Sequence, residues 1–527
     1  MVQAVLLDDG NGQATNGTNG HAVMEGETPM PKLNTLPPPD MNWAITLKDK
    51  VIAITGANRG IGLGIAEVCL ANGAACVYSL DLMEPSEEFA TLSKKNQGRF
   101  RYQQMDVTKE ESVKKAIDDI VEAEGAIHGM VCNAGMTKHQ PALDFTMEQV
   151  EQLFRLNVFG AFACATAAAR KFISLGVKGS IVFTASMTSY RPNRAAPSAP
   201  YGGTKAAVRN MTHTLAMEWA EHGIRVNSIS PGFVKTAMTY YVEKAPDWDL
   251  KMQYYGGMPR LALPQELGGA YVYLLSDMAS YTTGTRQMLS TFSTMAASAA
   301  PQTKISLSGK VIAITGANQG IGLGIAECCL SNDAQAVYSL DIGEVGDEFL
   351  SVSKRYAGKL HAVKADVTKE ATVTEAVDGI LKEAGGLHGF VVNAGRTKHK
   401  PALDFTTEEI EQLWNVNLYG SLYCARVAAR AFIEQKAMEW AQYDIRVNSV
   451  SPGLVKTAVT YWVEKQPDWE QQLKYYGGLP RLAEVSELGG AYVYLLSDAA
   501  SYTTSIDIPV NGVIGSGSPF STSVPGS

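Results

Sequence analysis

One twenty-residue stretch occurs twice, and it constrains the chain more than any other feature. Residues 51–70 read VIAITGANRGIGLGIAEVCL and residues 311–330 read VIAITGANQGIGLGIAECCL. Each copy reads as strand, glycine turn and helix. The near-continuous apolar run Val51 to Thr55 suits a strand buried on both faces of a parallel sheet. Gly56, Gly60 and Gly62 follow, and Ile61, Ile65, Ala66, Cys69 and Leu70 then line one side of a helix. Such a turn presents bare backbone N–H groups and the positive end of a helix to an anion, and a dinucleotide pyrophosphate is the usual guest. Asp81, placed at the end of the next strand (Cys76 to Leu80), strengthens that reading, because a carboxylate there can accept ribose hydroxyls.

The repeat makes two domains the natural count for 527 residues. Strands alternating with helices predict an α/β fold, a doubly wound parallel sheet in each copy. The expected layout is a disordered Gly-, Asn- and Pro-rich leader over 1–44, a complete domain over 45–285, a linker over 286–303, a degenerate second domain over 304–515 and a flexible tail over 516–527. A net charge of −8 without Lys/Arg blocks argues against nucleic acid or an anionic membrane as partner. No stretch has the length of uninterrupted apolar sequence that crosses a bilayer, and the first residues lack the basic region of a secretory signal. The seven cysteines sit in apolar runs, as reduced core cysteines do, so a cytoplasmic location is expected. The histidines are scattered, His139 and His399 lying in matching loops, and no metal site is expected.

Within the first copy, Arg101 to Met105 reads as a strand leading to Asp106-Val107, with Thr108 as the N-cap of the following helix. His128 to Cys132 is a fourth strand ending in Asn133-Ala134-Gly135, and a long helix from about Thr146 to Ser174 contains Asn157. Ser186 ends the fifth strand. Tyr201 and Lys205 lie four apart on the next helix, hence on one face of it. An unperturbed tyrosine has a pKa of about 10, too high for a base at neutral pH. A fixed ammonium beside it lowers that value, and Ser186 can donate a hydrogen bond to an oxygen on which negative charge grows. Asn157 could hold a water against Lys205 and connect the site to solvent.

These pieces together resemble the short-chain dehydrogenase/reductase family. The resemblance rests on TGANRGIG (Thr55 to Gly62), Asp106-Val107, Asn133-Ala134-Gly135, Asn157, Ser186, YGGTK (Tyr201 to Lys205) and Pro231-Gly232 followed by Thr236. It covers residues 45 to 285, and its phrasing is most similar to the fungal sorbose reductase or mannitol 2-dehydrogenase branch. The family implies Tyr201 as acid/base, Lys205 on the nicotinamide ribose, Ser186 orienting a carbonyl and Asn157 in a proton relay. It implies a cofactor set of Gly56, Asn58, Arg59, Gly60, Ile61, Gly62, Asp81, Asp106, Val107, Asn133, Ala134, Gly135, Tyr201, Lys205, Pro231, Gly232, Val234 and Thr236. The implied activity is hydride transfer between NADP or NAD and a small carbonyl or alcohol substrate, a ketose/polyol pair or an aromatic or polyketide ketone. An isomerase or dehydratase on the same fold, and a non-catalytic nucleotide-binding scaffold, are the rival readings. Asp81 leans toward NAD and Arg59 toward the 2′-phosphate of NADP, with NADP slightly favoured. Tyr190, Arg191, Asn193, Arg194, Tyr240, Tyr241, Trp248, Tyr254 and Tyr255 are candidate substrate walls.

The second copy is not equivalent. It follows the first at an offset of 260 as far as Phe432-Ile433, then at 221 from Ala437, so 39 residues have no counterpart. The missing piece holds the fifth strand and the positions of Ser186, Tyr201 and Lys205. Gly316, Gly320, Gly322, Asp341, Asp366, Asn393-Ala394-Gly395 and Asn417 remain. The copy is expected to be catalytically dead, either an in-chain substitute for a homodimer partner or a damaged duplicate. Loss of an interior strand leaves two bare sheet edges unless the neighbours close up or something else fills the gap, and the C-terminal segment SIDIPVNGVIG reads as a final strand that could complete a sheet outside its own repeat.

Overall fold

The computed structural model describes residues 43–190, 197–239, 244, 260–289, 303–398, 400, 402–436, 445–457, 460–461, 463–467, 469–470, 473, 479 and 481–512. Arg191, Asn193, Arg194, Tyr240, Tyr241, Trp248, Tyr254, Tyr255 and His399 lie outside these residues, as do 1–42 of the expected leader, 290–302 of the expected linker and the whole expected tail.

The first copy forms seven strands: β1 (Val51–Thr55), β2 (Cys76–Asp81), β3 (Phe100–Gln104), β4 (Gly129–Cys132), β5 (Ser180–Thr184), β6 (Arg225–Pro231) and β7 (Arg286–Leu289). They pair in the order β3-β2-β1-β4-β5-β6-β7, every pair parallel. The apolar run of β1 is buried at every position, as a strand covered by helices on both faces must be. The strand order reverses between β1 and β4, and at that point the C-terminal strand ends diverge and open a crevice.

Three local expectations change. Arg286–Leu289, expected as linker, is the seventh strand, and its pairing with Ser228–Pro231 covers the edge of β6. Thr108 does not cap the next helix, which starts at Glu110 behind Lys109. The Thr108 hydroxyl instead donates to Asp106 Oδ1 at 2.7 Å. The long helix is real, running from Met147 to Leu175, but its middle, Arg155–Gly160, is a π turn.

The second copy contains β8 (Val311–Thr315), β9 (Ala336–Asp341), β10 (Leu360–Lys364) and β11 (Gly389–Val391) in the order β10-β9-β8-β11. β12 (Ser449–Pro452) and β13 (Asp507–Val510) form a separate parallel pair. The neighbours of the missing strand therefore do not close up. Among the described residues the C-terminal segment pairs within its own repeat and completes no sheet of the first. Loss of the covering helix also shows on the surface: Val158 is 8% exposed, whereas its counterpart Leu418 is 58% exposed.

The two copies share one hydrophobic core. It joins Ile65, Cys69, Leu267, Tyr271 and Leu274 of the first to Ile325, Cys329, Leu488, Val493 and Tyr494 of the second. The polar contacts across the joint are reciprocal. Asn72 Nδ2 donates to Thr303 O at 2.6 Å and Ile305 N donates to Asn72 Oδ1 at 3.0 Å; Asn332 Nδ2 donates to Trp43 O at 2.9 Å and Ile45 N donates to Asn332 Oδ1 at 3.2 Å. Ser280 donates to Glu487 (2.7 Å) and Ser501 to Glu266 (3.1 Å). Tyr273 and Tyr494 stack on each other, centroids 5.9 Å apart and planes within 2°. A Cβ on Gly269 would lie 2.4 Å from Ala499 O and one on Gly490 would lie 2.7 Å from Met278 O, so both positions exclude side chains to let the backbones meet. Each patch contacts its own duplicate, the pattern of a two-fold interface built into one chain. Trp43, expected in the leader, is 5% exposed and belongs to this core.

Candidate active site

The crevice beyond β1, β4 and β5 is a cleft of about 2110 Å³. The glycine turn forms its floor. Gly56 (φ 67°) and Gly60 (φ 59°) take backbone conformations that other residues rarely adopt, and a Cβ on Gly62 would sit 2.3 Å from Gly56 O. Asn58, 2% exposed, fixes the turn to β2: its Nδ2 donates to Met83 O (2.5 Å) and its Oδ1 accepts from Ser79 Oγ (2.7 Å). Asp81 accepts from Asn58 N (3.2 Å) on one oxygen and Met83 N (3.1 Å) on the other, which aims its carboxylate at the rim of the cleft. Arg59 and Ile61 line the same wall, Arg59 exposed.

On the opposite wall, Asn133 Nδ2 donates to Thr55 O (3.0 Å) and Gly56 O (3.2 Å), while Thr55 Oγ1 accepts from Asn133 N (2.9 Å) and Ala134 N (2.8 Å). These bonds tie the end of β4 to the turn. Asp106 and Val107 line the cleft at the end of β3, and the Thr108 hydroxyl beside Asp106 holds its carboxyl below the ordinary range. Pro231, Gly232, Val234 and Thr236 close the far side, with Thr236 Cγ2 at 3.7 Å from where a Gly60 Cβ would be. A cradle with no room for a Cβ, backed by a helix N-terminus and bordered by a fixed carboxylate, fits a nicotinamide dinucleotide.

Ser186, Tyr201 and Lys205 all line this one cleft. Ser186 follows β5 and is 8% exposed; its Oγ accepts from Thr188 N (3.2 Å) and Thr188 Oγ1 (3.0 Å), which leaves the serine proton to be donated. Tyr201 lies in the first turn of the helix Ala199–Trp219, half-buried. Lys205, one turn on, is 5% exposed, lies 5.8 Å from the Tyr201 ring centroid and donates to Thr184 O at 2.8 Å. Asn157 is 1% exposed in the π turn and its side chain is committed: Oδ1 accepts from Met136 N (2.9 Å), and Nδ2 donates to Met136 O (2.9 Å) and Thr204 Oγ1 (3.1 Å). The side chain thereby forms a latch between the loop after β4 and the Tyr201 helix. Gly135 faces both groups, since a Cβ there would be 3.1 Å from Asn157 Oδ1 and 3.3 Å from Lys205 Nζ.

Sequence reasoning missed Thr55, Thr184 and Thr204 as the acceptors and linkers of this site. For Thr55 the available signal was a threonine in an otherwise apolar buried strand, since a buried hydroxyl needs a partner; Thr184 acts through its backbone carbonyl and Thr204 lies in the Tyr201 helix, so neither carried that signal. Tyr190, expected as a substrate wall, lines the cleft; its hydroxyl donates to Arg286 O (3.0 Å) and its ring lies under the Arg209 guanidinium at 4.1 Å.

Burial pushes the Lys205 ammonium down to about 8. A lowered lysine pKa means that the group is charged below that pH and neutral above it. Cofactor affinity that uses the ammonium is therefore expected to be full below about pH 8 and to fall as pH rises through it. NADPH titrations across that range check this, with Lys205→Met expected to give a flat profile; a wild-type profile equally flat would remove the ammonium from binding.

Comparison with known proteins agrees with this geometry. The family described as "Enoyl-(Acyl carrier protein) reductase" matches residues 56–290 and 428–512, and that described as "short chain dehydrogenase" matches residues 310–437. The chain belongs to the short-chain dehydrogenase/reductase family. The sorbose reductase of Schizosaccharomyces pombe is 34% identical over 247 residues, 46% of this chain and 95% of that protein. The NADP-dependent mannitol dehydrogenase of Alternaria alternata is 32% identical over 245 residues, 45% of this chain and 90% of that protein. Among solved structures, a gluconate 5-dehydrogenase from Burkholderia cenocepacia in complex with NADP and tartrate is 30% identical, covering 46% of this chain and 95% of its own, with a TM-score of 0.43. The protein is thus an NAD(P)-dependent short-chain dehydrogenase/reductase, and both its repeats carry the family's parallel sheet.

Proposed function

We propose that the first repeat reduces a ketose or related small ketone with NADPH and oxidises the corresponding polyol in reverse. The observation that carries this reading is the meeting of Ser186, Tyr201 and Lys205 in one cleft with the glycine turn. The nicotinamide supplies hydride to the carbonyl carbon when bound. Ser186 orients the carbonyl oxygen through its free proton, and Tyr201 gives that oxygen the proton that completes the alcohol. The Lys205 ammonium, held by Thr184 O, stabilises the phenolate left on Tyr201. Asn157 keeps the helix and the loop after β4 in register.

The sugar and polyol assignment is supported by relatives named as sorbose reductase and NADP-dependent mannitol dehydrogenase, and the NADP preference by the latter together with exposed Arg59 at the turn. The second repeat, whose sequence has no counterpart of the reacting set, serves as the first one's in-chain partner; the reciprocal bonds of the joint support this. We place the protein in the cytoplasm, in keeping with its free buried cysteines. A panel of ketoses and polyols assayed at 340 nm with NADPH and NADH tests the reading. A ketohexose reduced faster with NADPH is expected, and turnover confined to non-sugar ketones would overturn the substrate class.

A further inference from the structure

We propose that the gap left by the missing strand of the second repeat is a binding site for an extended apolar segment of a partner protein, which enters as a strand parallel to β11 and β12. This inference is independent of the catalytic reading of the first repeat. The gap is one strand wide. A Cβ on Gly389 of β11 would lie 2.6 Å from Leu496 Cδ2, as one on Gly129 of β4 would lie 2.7 Å from Leu275 Cδ2. Just ahead of β12, Arg446 donates to Leu495 O (2.6 Å) and Ser497 O (3.2 Å), as Arg225 of β6 donates to Leu274 O (2.5 Å) and Ser276 O (3.0 Å). β11 and β12 thus keep the places of β4 and β6 on the covering helix, and a strand between them would sit about 4.8 Å from each.

Both walls of the gap lack what a strand would supply. In the first repeat Ser180 N donates to His128 O (3.1 Å), Ala185 N to Ile229 O (2.7 Å) and Arg225 N to Gly179 O (3.0 Å). The counterparts His388 O, Val450 O and Arg446 N make no such backbone bond among the described residues. Open edge groups of this kind take up a further strand, and its main chain supplies affinity whatever its sequence. Side chains then set the sequence. Val226 is fully buried opposite Ile181, whereas its counterpart Val447 is 68% exposed; Cys132, 4% exposed opposite Phe183, is matched by Val392 at 39%. β5 fills these walls with Ile181, Val182 and Phe183, all fully buried, and with Thr184, whose Oγ1 meets Tyr271 OH at 2.7 Å. Tyr492, the counterpart of Tyr271, has no such hydrogen bond among the described residues. The gap therefore selects three large apolar residues followed by threonine or serine. The chain's own SIVFT is held in the first repeat's sheet between β4 and β6, so the segment comes from a different protein.

The probe is a fluorescein-labelled synthetic peptide copying residues 178–186, KGSIVFTAS, titrated into the full chain and followed by anisotropy. One equivalent per chain is expected. A peptide carrying Val182→Pro loses a main-chain donor from the middle of the strand and is expected to bind about tenfold more weakly. Val447→Lys in the protein, at a position already exposed, keeps the fold and sets a charge against the incoming apolar side chain, so the intact peptide also weakens about tenfold. Thr184→Val in the peptide is expected to cost about fivefold against the wild-type chain and nothing against Tyr492→Phe, where the hydrogen bond is already gone. Absence of binding would overturn the proposal, as would binding that the proline peptide and Val447→Lys both leave unchanged. A Thr184→Val loss that survives Tyr492→Phe would overturn the register.

Discussion

Replacing Tyr201 by Phe is expected to lower kcat by about 10³-fold, the size of effect that general acid catalysis supplies, while the NADPH Kd stays within about twofold. Only the phenolic oxygen is removed, and the ring, half-buried in the first turn of its helix, keeps its packing. The glycine turn, Asp81 and Asn133 do not touch the altered atom in any contact of the cradle described above. Steady-state kinetics and a fluorescence titration on the same preparation separate the two quantities. Turnover within tenfold of wild type would place the proton donor elsewhere.

Replacing Tyr494 by Ala is expected to destabilise the first repeat although the residue lies in the second. The ring is fully buried, stacks on Tyr273 and accepts or donates a 2.7 Å hydrogen bond with Thr503 Oγ1. Truncating a buried aromatic costs about 3–5 kcal/mol, and the hydroxyl of Thr503 is left without that partner. Because Tyr273 and Tyr494 belong to one core, both repeats are expected to melt together and earlier. Calorimetry decides it: two separate transitions, with only one moved by the substitution, would mean that the joint does not couple the repeats.

The parts of this molecule written locally were legible. Strand–turn–helix units, the acidic residue after β2 and the i, i+4 pair Tyr201/Lys205 all follow from periodicity and spacing over a few residues. What escaped was set by neighbours distant in sequence. Arg286–Leu289 has a composition that reads as linker and becomes a strand because β6 offers it an edge. Thr108 has the residue type of an N-cap but finds a stronger local partner in Asp106. Asn157 sits in a π turn that no local pattern announces, and the turn aims its side chain at Met136 and Thr204. Trp43 follows a proline-rich leader and is held by Asn332, nearly 290 residues away. No window of sequence contains that contact.

The joint has a consequence for concentration. In a dimer of separate chains, partnership is lost on dilution, since assembly is second order in protein. Here the two faces are joined by residues 290–302, so their meeting is intramolecular and its effective concentration, typically of millimolar order for a short connection, is the same in a crowded cell and in a dilute assay. Every first repeat is born with its partner. That partner need only present Asn332, Tyr494, Glu487 and the surface around them, none of which lies in the stretch that was lost. Under the proposed division of roles, the permanence of the pairing lets the second repeat dispense with chemistry without costing the first its support.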